Sequence, residues 1–161
     1  MLEYAYGHDD VVARWVADRI PAIRGRGFGK CSAIGVVEGD ELIAGWVYHN
    51  WNPEAGVIEM SCASLPGRRW CTPETLKRMY QYAFITAGCQ MVLQLNDAKD
   101  ERLLRQLAAL GYSLIRMPRM LGRDADAVVA LLTVEDWADN KICKRYKHHI
   151  PDALLQHSEA A

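Results

Sequence analysis

The sequence predicts one α/β domain of the α+β kind: a mostly antiparallel sheet of six to seven strands, one parallel pair inside it, and helices packed on both faces. Three observations predict it. β-rich runs recur along the chain between clusters of turn residues. Most of these runs come in adjacent pairs with short connections, which favours antiparallel hairpins. Two amphipathic helical stretches break the series, one between the runs at 57–64 and 90–95 and one after the second run. A strand, a helix and a further strand at this spacing imply a right-handed crossover between parallel strands.

The elements follow in order. Residues 1–7 read as a short strand. Residues 8–20 read as a helix with Asp9 as its cap and Val12, Trp15, Val16 and Ile20 on one side, and Pro21 follows its end. The glycine-rich segment 24–30 neither follows a clear strand nor opens a helix, so it fails the dinucleotide test and reads as a mobile loop. Residues 32–38 and 41–49 form a hairpin through Gly39-Asp40. After the turn cluster 50–56, residues 57–64 return as a strand. Thr72 is a good N-cap and Pro73 falls at the first helical position, where a missing N–H costs nothing. Leu76, Met79, Tyr80, Ala83, Phe84 and Ala87 share one face of that helix, and Gly88 closes it. The next helix starts near Asp97, buries Leu103, Leu104, Leu107, Ala108 and Leu110, and ends at Gly111. Residues 112–120 and 127–134 form a last antiparallel pair, with Pro118 placing the first of them at an edge or a bulge. The domain is read as residues 1–137. A polar helical tail follows at 138–161, with a basic cluster at 141–149 and frayed last residues.

A chain of 161 residues suits one domain with a sizeable core. The formal net charge of −1 argues against a dedicated nucleic-acid binder. The five cysteines, at 31, 62, 71, 89 and 143, are odd in number and contain no C-x-x-C pair, which fits a reducing compartment and no metal site. No signal pattern and no membrane-length apolar run is present, so a cytoplasmic location is expected and membrane attachment is not. The basic loop 67–72 precedes a helix N-terminus and so forms an anion site.

These same residues resemble a family. The strand ending at Ser64, the segment Arg68-Arg69-Trp70-Cys71-Thr72, the helix ending Tyr82-Ala83-Phe84 before Gly88, and the run Leu107 to Tyr112 are similar to the GNAT superfamily of acyl-CoA-dependent N-acyltransferases. The likeness is greatest to the divergent members carried by bacteriophages and prophages, and it covers roughly residues 30–137. It implies a central parallel pair that splays at its C-terminal ends to admit the pantetheine arm of acetyl-CoA. It also implies acetyl transfer to an amine acceptor, small molecule or protein, by direct attack in a ternary complex, and a homodimer as one arrangement. The alternative is a fold relative without activity that acts by CoA binding or protein interaction. The sequence departs from the family in two places. The phosphate loop keeps only Gly67, and the position of the usual helix tyrosine is Leu107. Asp100 stands where an asparagine is usual.

On this resemblance Gly67, Arg68, Arg69, Trp70, Cys71 and Thr72 would hold the pyrophosphate, two guanidinium forks adding to backbone N–H groups. The strand backbone at Ser61, Cys62, Ala63 and Ser64 would line the pantetheine, with Asp100 and Leu103 beside it. Glu59 is the first candidate base, a carboxylate midway along a strand between apolar neighbours; a solvent-facing Glu is the other reading. His49 is the second, since imidazole titrates in the useful range. Tyr112 is a candidate acid. Trp46, Tyr48 and Trp51 either wall an acceptor pocket or belong to the core and a turn.

Overall fold

The computed structural model describes residues 1–146 and 148–155. In chain order it contains strand β1 (Leu2–Ala5), helix α1 (Asp9–Ala17), strands β2 (Cys31–Glu38), β3 (Glu41–Asn52) and β4 (Val57–Ser64), and helix α2 (Pro73–Tyr80) with a π-helical continuation (Gln81–Thr86). Strand β5 (Met91–Asp97), helix α3 (Glu101–Ala109), strands β6 (Ser113–Gly122) and β7 (Ala125–Thr133), the short helices α4 (Val134–Asp139) and α5 (Lys141–Arg145), and a 3-10 turn (Asp152–Leu154) complete it. The strands form one sheet in the order β1-β2-β3-β4-β5-β7-β6. Every neighbouring pair is antiparallel except β4–β5. The mixed α/β architecture read from the sequence is therefore present.

The parallel ladder is short. It pairs Val57 with Met91, Ile58 with Val92 and Glu59 with Leu93, and then stops. Beyond that point β4 is paired only with β3, and β5 only with β7. The two strands part at their C-terminal ends and leave a notch in the middle of the sheet.

Alternation along the strands divides the side chains between two cores. On one face Trp46, Tyr48, Met60 and Val92 pack against Leu76, Met79, Tyr80 and Phe84 of the α2 segment and against Trp137 of α4. On the other face α1 sets Val12, Ala13 and Val16 against Ala33 and Val47. Gly35 and Gly45 let α1 come that close. A Cβ on Gly45 would sit 2.9 Å from Val12 Cγ1 and 3.1 Å from Val16 Cγ2.

Local signals explain most of the boundaries. Thr72 caps α2 through its Oγ1, which accepts from Thr75 N, and Gly88 ends the segment at φ +67°. Gly39 takes a positive φ in the two-residue turn between β2 and β3. Three expectations need correction. Asp9 does not cap α1: its Oδ1 accepts from Ala33 N at 2.8 Å and ties the helix start to β2. The helix after β5 begins at Glu101 with Asp100 as cap, because Asp97 ends the strand and caps the preceding turn through Lys99 N. Of its apolar residues only Leu107 is fully buried. Residues of the 138–161 tail contribute to the core. Cys143 and Ile150 join the main core, and Ile142 and Leu154 pack on it. The fraying expected of the last residues falls on 156–161, outside the described residues. All five cysteines are free thiols, and among the described residues no helix is long and apolar enough to cross a membrane.

Candidate active site

Sheet register brings two separately chosen residues together. Cys31, His49 and Glu59 are direct cross-strand neighbours, and Glu59 is paired in turn with Leu93 at the last rung of the parallel ladder. His49 and Glu59 thus lie side by side at the closed base of the notch, on the face that carries α1. His49 is 4% exposed, while the Glu59 side chain keeps 19% of its surface. His49 Nδ1 is 3.9 Å from Glu59 Oε2, and His49 Nε2 is 2.9 Å from Ser61 Oγ.

Two residues that the sequence did not single out complete the cluster. A bulge interrupts the ladder between His49 and Asn52, and within it Asn50 takes φ +49°. From there Asn50 Nδ2 donates to Glu59 Oε2 at 2.8 Å, which fixes the carboxylate. Phe28, from the glycine-rich segment before β2, lies over the imidazole with ring centroids 4.7 Å apart. Asn50 stands in a turn cluster in the sequence, and Phe28 is an aromatic in a glycine-rich run; neither signal points to a base. Burial lowers the pKa of His49, and the Glu59 carboxylate partly offsets this. The imidazole is therefore neutral at pH 7 and able to take a proton.

Of the aromatic residues read as either pocket wall or core, Trp46 and Tyr48 belong to the main core. Trp46 and Tyr48 are fully buried on the opposite face, beneath α2. Trp46 Nε1 donates to Tyr48 Oη at 2.8 Å, and Tyr48 Oη donates to the carbonyl of Met79. Their polar atoms are satisfied within the core. Trp51 is 52% exposed at the closed end of the β3–β4 pair, beside the rung of Asn52 and Val57.

At the other end of the notch the 67–72 loop leads into α2. Gly67 has φ +74°. Among the described residues, the backbone N–H groups from Arg68 to Cys71 enter no hydrogen bond, so the loop offers donors next to the positive end of α2. Arg68 reaches back to the β2–β3 hairpin, with Nη1 donating to Glu38 Oε2 at 2.7 Å and Nη2 to Glu41 Oε2. Arg69 is exposed. Trp70 is half-buried and stacks on Trp46, with centroids 6.5 Å apart; its carbonyl accepts from Thr75 Oγ1 at 2.6 Å. Trp70 thus anchors the loop to the core. Cys71 is exposed and Thr72 is the cap. On β4, Ala63 packs against the α1 core and Cys62 against the main one, while Ser64 is exposed. Burial holds the Cys62 thiol well above the usual thiol range, which leaves it protonated and a poor nucleophile. Asp100 Oδ1 accepts from Leu103 N at 3.1 Å, and Leu103 packs on the main core.

Tyr112 lies on the α2 side of the notch, 5% exposed. Its Oη is 2.6 Å from Tyr80 Oη and accepts from Gln94 Nε2 at 2.9 Å. Gln94 is the first β5 residue beyond the last parallel rung. Burial holds the phenol above its ordinary range, so it keeps its proton at neutral pH.

No protein-family model matches the chain, and no curated protein sequence does either. Solved structures do. A candidate acetyltransferase from T. thermophilus superposes with TM-score 0.61 at 20% identity, over 74% of this chain and 66% of that one. Spermidine N-acetyltransferase from Vibrio cholerae gives TM-score 0.61 at 11% identity, over 69% of each chain. A chimera of the Vibrio cholerae spermidine N-acetyltransferase and hSSAT gives 0.68 at 8% identity, over 86% of this chain and 99% of that one. The chain spans just under two thirds of the length of the T. thermophilus protein. At these identities the likeness concerns the backbone: the chain shares the fold of these acetyltransferase structures.

Proposed function

We propose that the protein is an acyl-CoA-dependent N-acyltransferase that moves an acetyl group from acetyl-CoA to an amine by direct attack in a ternary complex. One observation carries the reading: the notch between β4 and β5 has a free-amide loop and a helix N-terminus at its open end and the Glu59–His49 pair at its base. A thioester held along the unpaired edge of β4, at Ser61, Cys62, Ala63 and Ser64, would place its carbonyl next to that pair. Gly67 to Thr72 would take the pyrophosphate on backbone N–H groups and the Arg69 guanidinium, and the segment at Asp100 and Leu103 would border the cofactor.

The chemistry needs a neutral amine within about 3–3.5 Å of the carbonyl carbon. Glu59 holds the amine and His49 accepts the proton, directly or through Ser61 Oγ. The C–N bond forms, the tetrahedral centre collapses, and the C–S bond breaks. Gln94 donates to Tyr112 Oη; with Tyr80 as the donor in the Tyr80–Tyr112 hydrogen bond, the Tyr112 O–H would be left to hydrogen-bond to the departing sulfur. A resident CoA supplies only the activated acyl group.

A second reading, a protein of this fold without activity, draws on two observations: Arg68 is already neutralised by two carboxylates, and Leu107 is buried where the family resemblance places a tyrosine. Calorimetric titration with acetyl-CoA, with CoA and ATP as controls, separates the two. Micromolar binding, near −8 kcal/mol, followed by acetylation of any amine in a mixed acceptor pool supports the enzyme. Binding without turnover of any amine supports the second reading.

A further inference from the structure

We infer that the acceptor carries its amine on an extended apolar body, and that it is a peptide with large apolar N-terminal residues, acetylated at its α-amine. The inference rests on the acyl-transfer reading.

It starts from what adjoins Glu59. Strand alternation puts Leu93 and Leu95 of β5 on the Glu59 face, half-buried, while Val92, Gln94 and Asn96 point into the main core. Register continues this face through Leu131 and Val129 of β7 to Ile115 and Met117 of β6. Helix α1 lies chiefly over β2, β3 and β4. Among the described residues, these six side chains belong to neither buried core, and Ile115 and Met117 are 48% and 40% exposed. Among the described residues, Glu59 therefore adjoins a partly exposed apolar sheet face that runs to the edge strand β6. An apolar face of this extent beside a polar centre is characteristic of a binding surface.

The other flank of the pair differs. Asp9 and Asp10 lie near Cys31, at the β2 end of the same cross-strand row. His49, with Phe28 over it, stands between them and Glu59. Among the described residues, strands β5, β7 and β6 offer a polycation at Glu59 no second carboxylate on this face until Asp97, at the far end of β5. An apolar chain would find six partners.

Length decides between a peptide and a small aryl amine. Three inter-strand steps from β4 to β6 span about 14 Å. Four extended residues span about 13 Å, whereas a phenylethylamine covers only the first step. Protonation agrees: an α-amine titrates near 8 and a lysine or polyamine amine near 10.4, so at pH 7 about a tenth of the α-amine is already neutral. In the reaction the α-nitrogen takes the acetyl group, its proton passes to the Glu59–His49 pair, and CoA leaves.

The test uses the full chain with acetyl-CoA and mass-spectrometric detection of product. The acceptors are a Leu-Leu-Val-Ala peptide amide, an Asp-Ser-Gly-Ser peptide amide, spermidine and 2-phenylethylamine. The apolar peptide should exceed both spermidine and the polar peptide in kcat/KM by about tenfold or more, the value of one large apolar side chain leaving water. Ile115→Glu, at an exposed position at the far end of the face, should raise KM for that peptide several-fold, leave kcat unchanged and leave 2-phenylethylamine unaffected. Spermidine turned over as well as the apolar peptide would overturn the inference while leaving acyl transfer standing. So would parity of 2-phenylethylamine with the peptide, or an Ile115→Glu variant with unchanged peptide KM. Absence of calorimetric acetyl-CoA binding removes the acyl-transfer reading and this inference with it.

Discussion

His49 Nε2 and Ser61 Oγ share a 2.9 Å hydrogen bond across the β3–β4 ladder, with Ser61 two residues along β4 from the rung that joins His49 to Glu59. Burial depresses the imidazole pKa and Glu59 raises it in part. If His49 is the proton acceptor, only its neutral form works. Activity should then be lost as pH falls, with the acid limb of kcat/KM below the ordinary histidine value near 6.5. Glu59→Gln removes the group that raises the pKa, so the limb should move to still lower pH. His49→Gln, which removes the acceptor itself, should lower the rate at pH 7.5 by about 10²–10⁴. A pH profile at saturating acetyl-CoA checks both. A limb at or above 6.5, or one unchanged in His49→Gln, would exclude His49 as base.

Arg68 and Arg69 should behave differently despite their adjacency. Arg68 is held by Glu38 and Glu41 on an exposed hairpin end, where such pairs contribute about 0–1 kcal/mol. Arg68→Ala should change acetyl-CoA affinity little. Arg69→Ala should weaken it by about tenfold or more, as expected for a lost charge-assisted phosphate contact of about 1.5–3 kcal/mol. Calorimetry on both variants decides; equal and negligible effects would put the pyrophosphate elsewhere.

Most strand boundaries were legible because turn chemistry and alternation are local. The 57–64 strand and the Thr72-Pro73 helix start are as read. The helix after β5 was placed three residues early because Asp97 and Asp100 are both plausible caps and only backbone geometry separates them. The site was legible in part. Glu59 and His49 were each visible as unusual polar residues in strands, but their adjacency depends on register. For Trp46 and Tyr48 the choice between core and pocket stayed open for a related reason. Alternation puts residues 46 and 48 together, but only the packing of α1 and α2 determines which side they enter.

Gly45 marks where α1 meets the sheet. An added Cβ would press on Val12 and Val16 at 2.9 and 3.1 Å, both fully buried and without room to yield. Gly45→Ala should therefore destabilise by about 1–3 kcal/mol through overpacking. Chemical denaturation measures it, and a change under about 0.5 kcal/mol would mean that α1 shifts freely on the sheet.

Tyr112→Phe tests the hydroxyl network on the α2 side of the notch. It leaves Gln94 Nε2 and Tyr80 Oη without their shared partner inside the core. A stability loss of about 1–3 kcal/mol is expected. If the Tyr112 O–H also contacts the departing sulfur, kcat should fall with KM for acetyl-CoA unchanged. A stable variant with full turnover would assign Tyr112 to neither task.

The C-terminal segment adds a pH dependence of its own. Trp137 Nε1 donates to His148 Nδ1 at 2.8 Å, with Trp137 fully buried and His148 7% exposed. Because Nδ1 accepts, the imidazole must be neutral with its proton on Nε2. Protonation would set two N–H groups against each other. Burial, with Lys77 and His149 nearby, lowers the His148 pKa accordingly. The unfolded chain then binds a proton more readily than the folded one. The stabilisation is full above the unfolded value near 6.5 and is lost as pH falls below it. His49 acts in the same direction, so the wild type alone cannot isolate His148. In His148→Gln the side-chain oxygen accepts from Trp137 without titrating. Melting temperatures at pH 7.5 and 5.5 should drop further for the wild type than for this variant, and equal drops would show that His148 is not protonated on unfolding in that window.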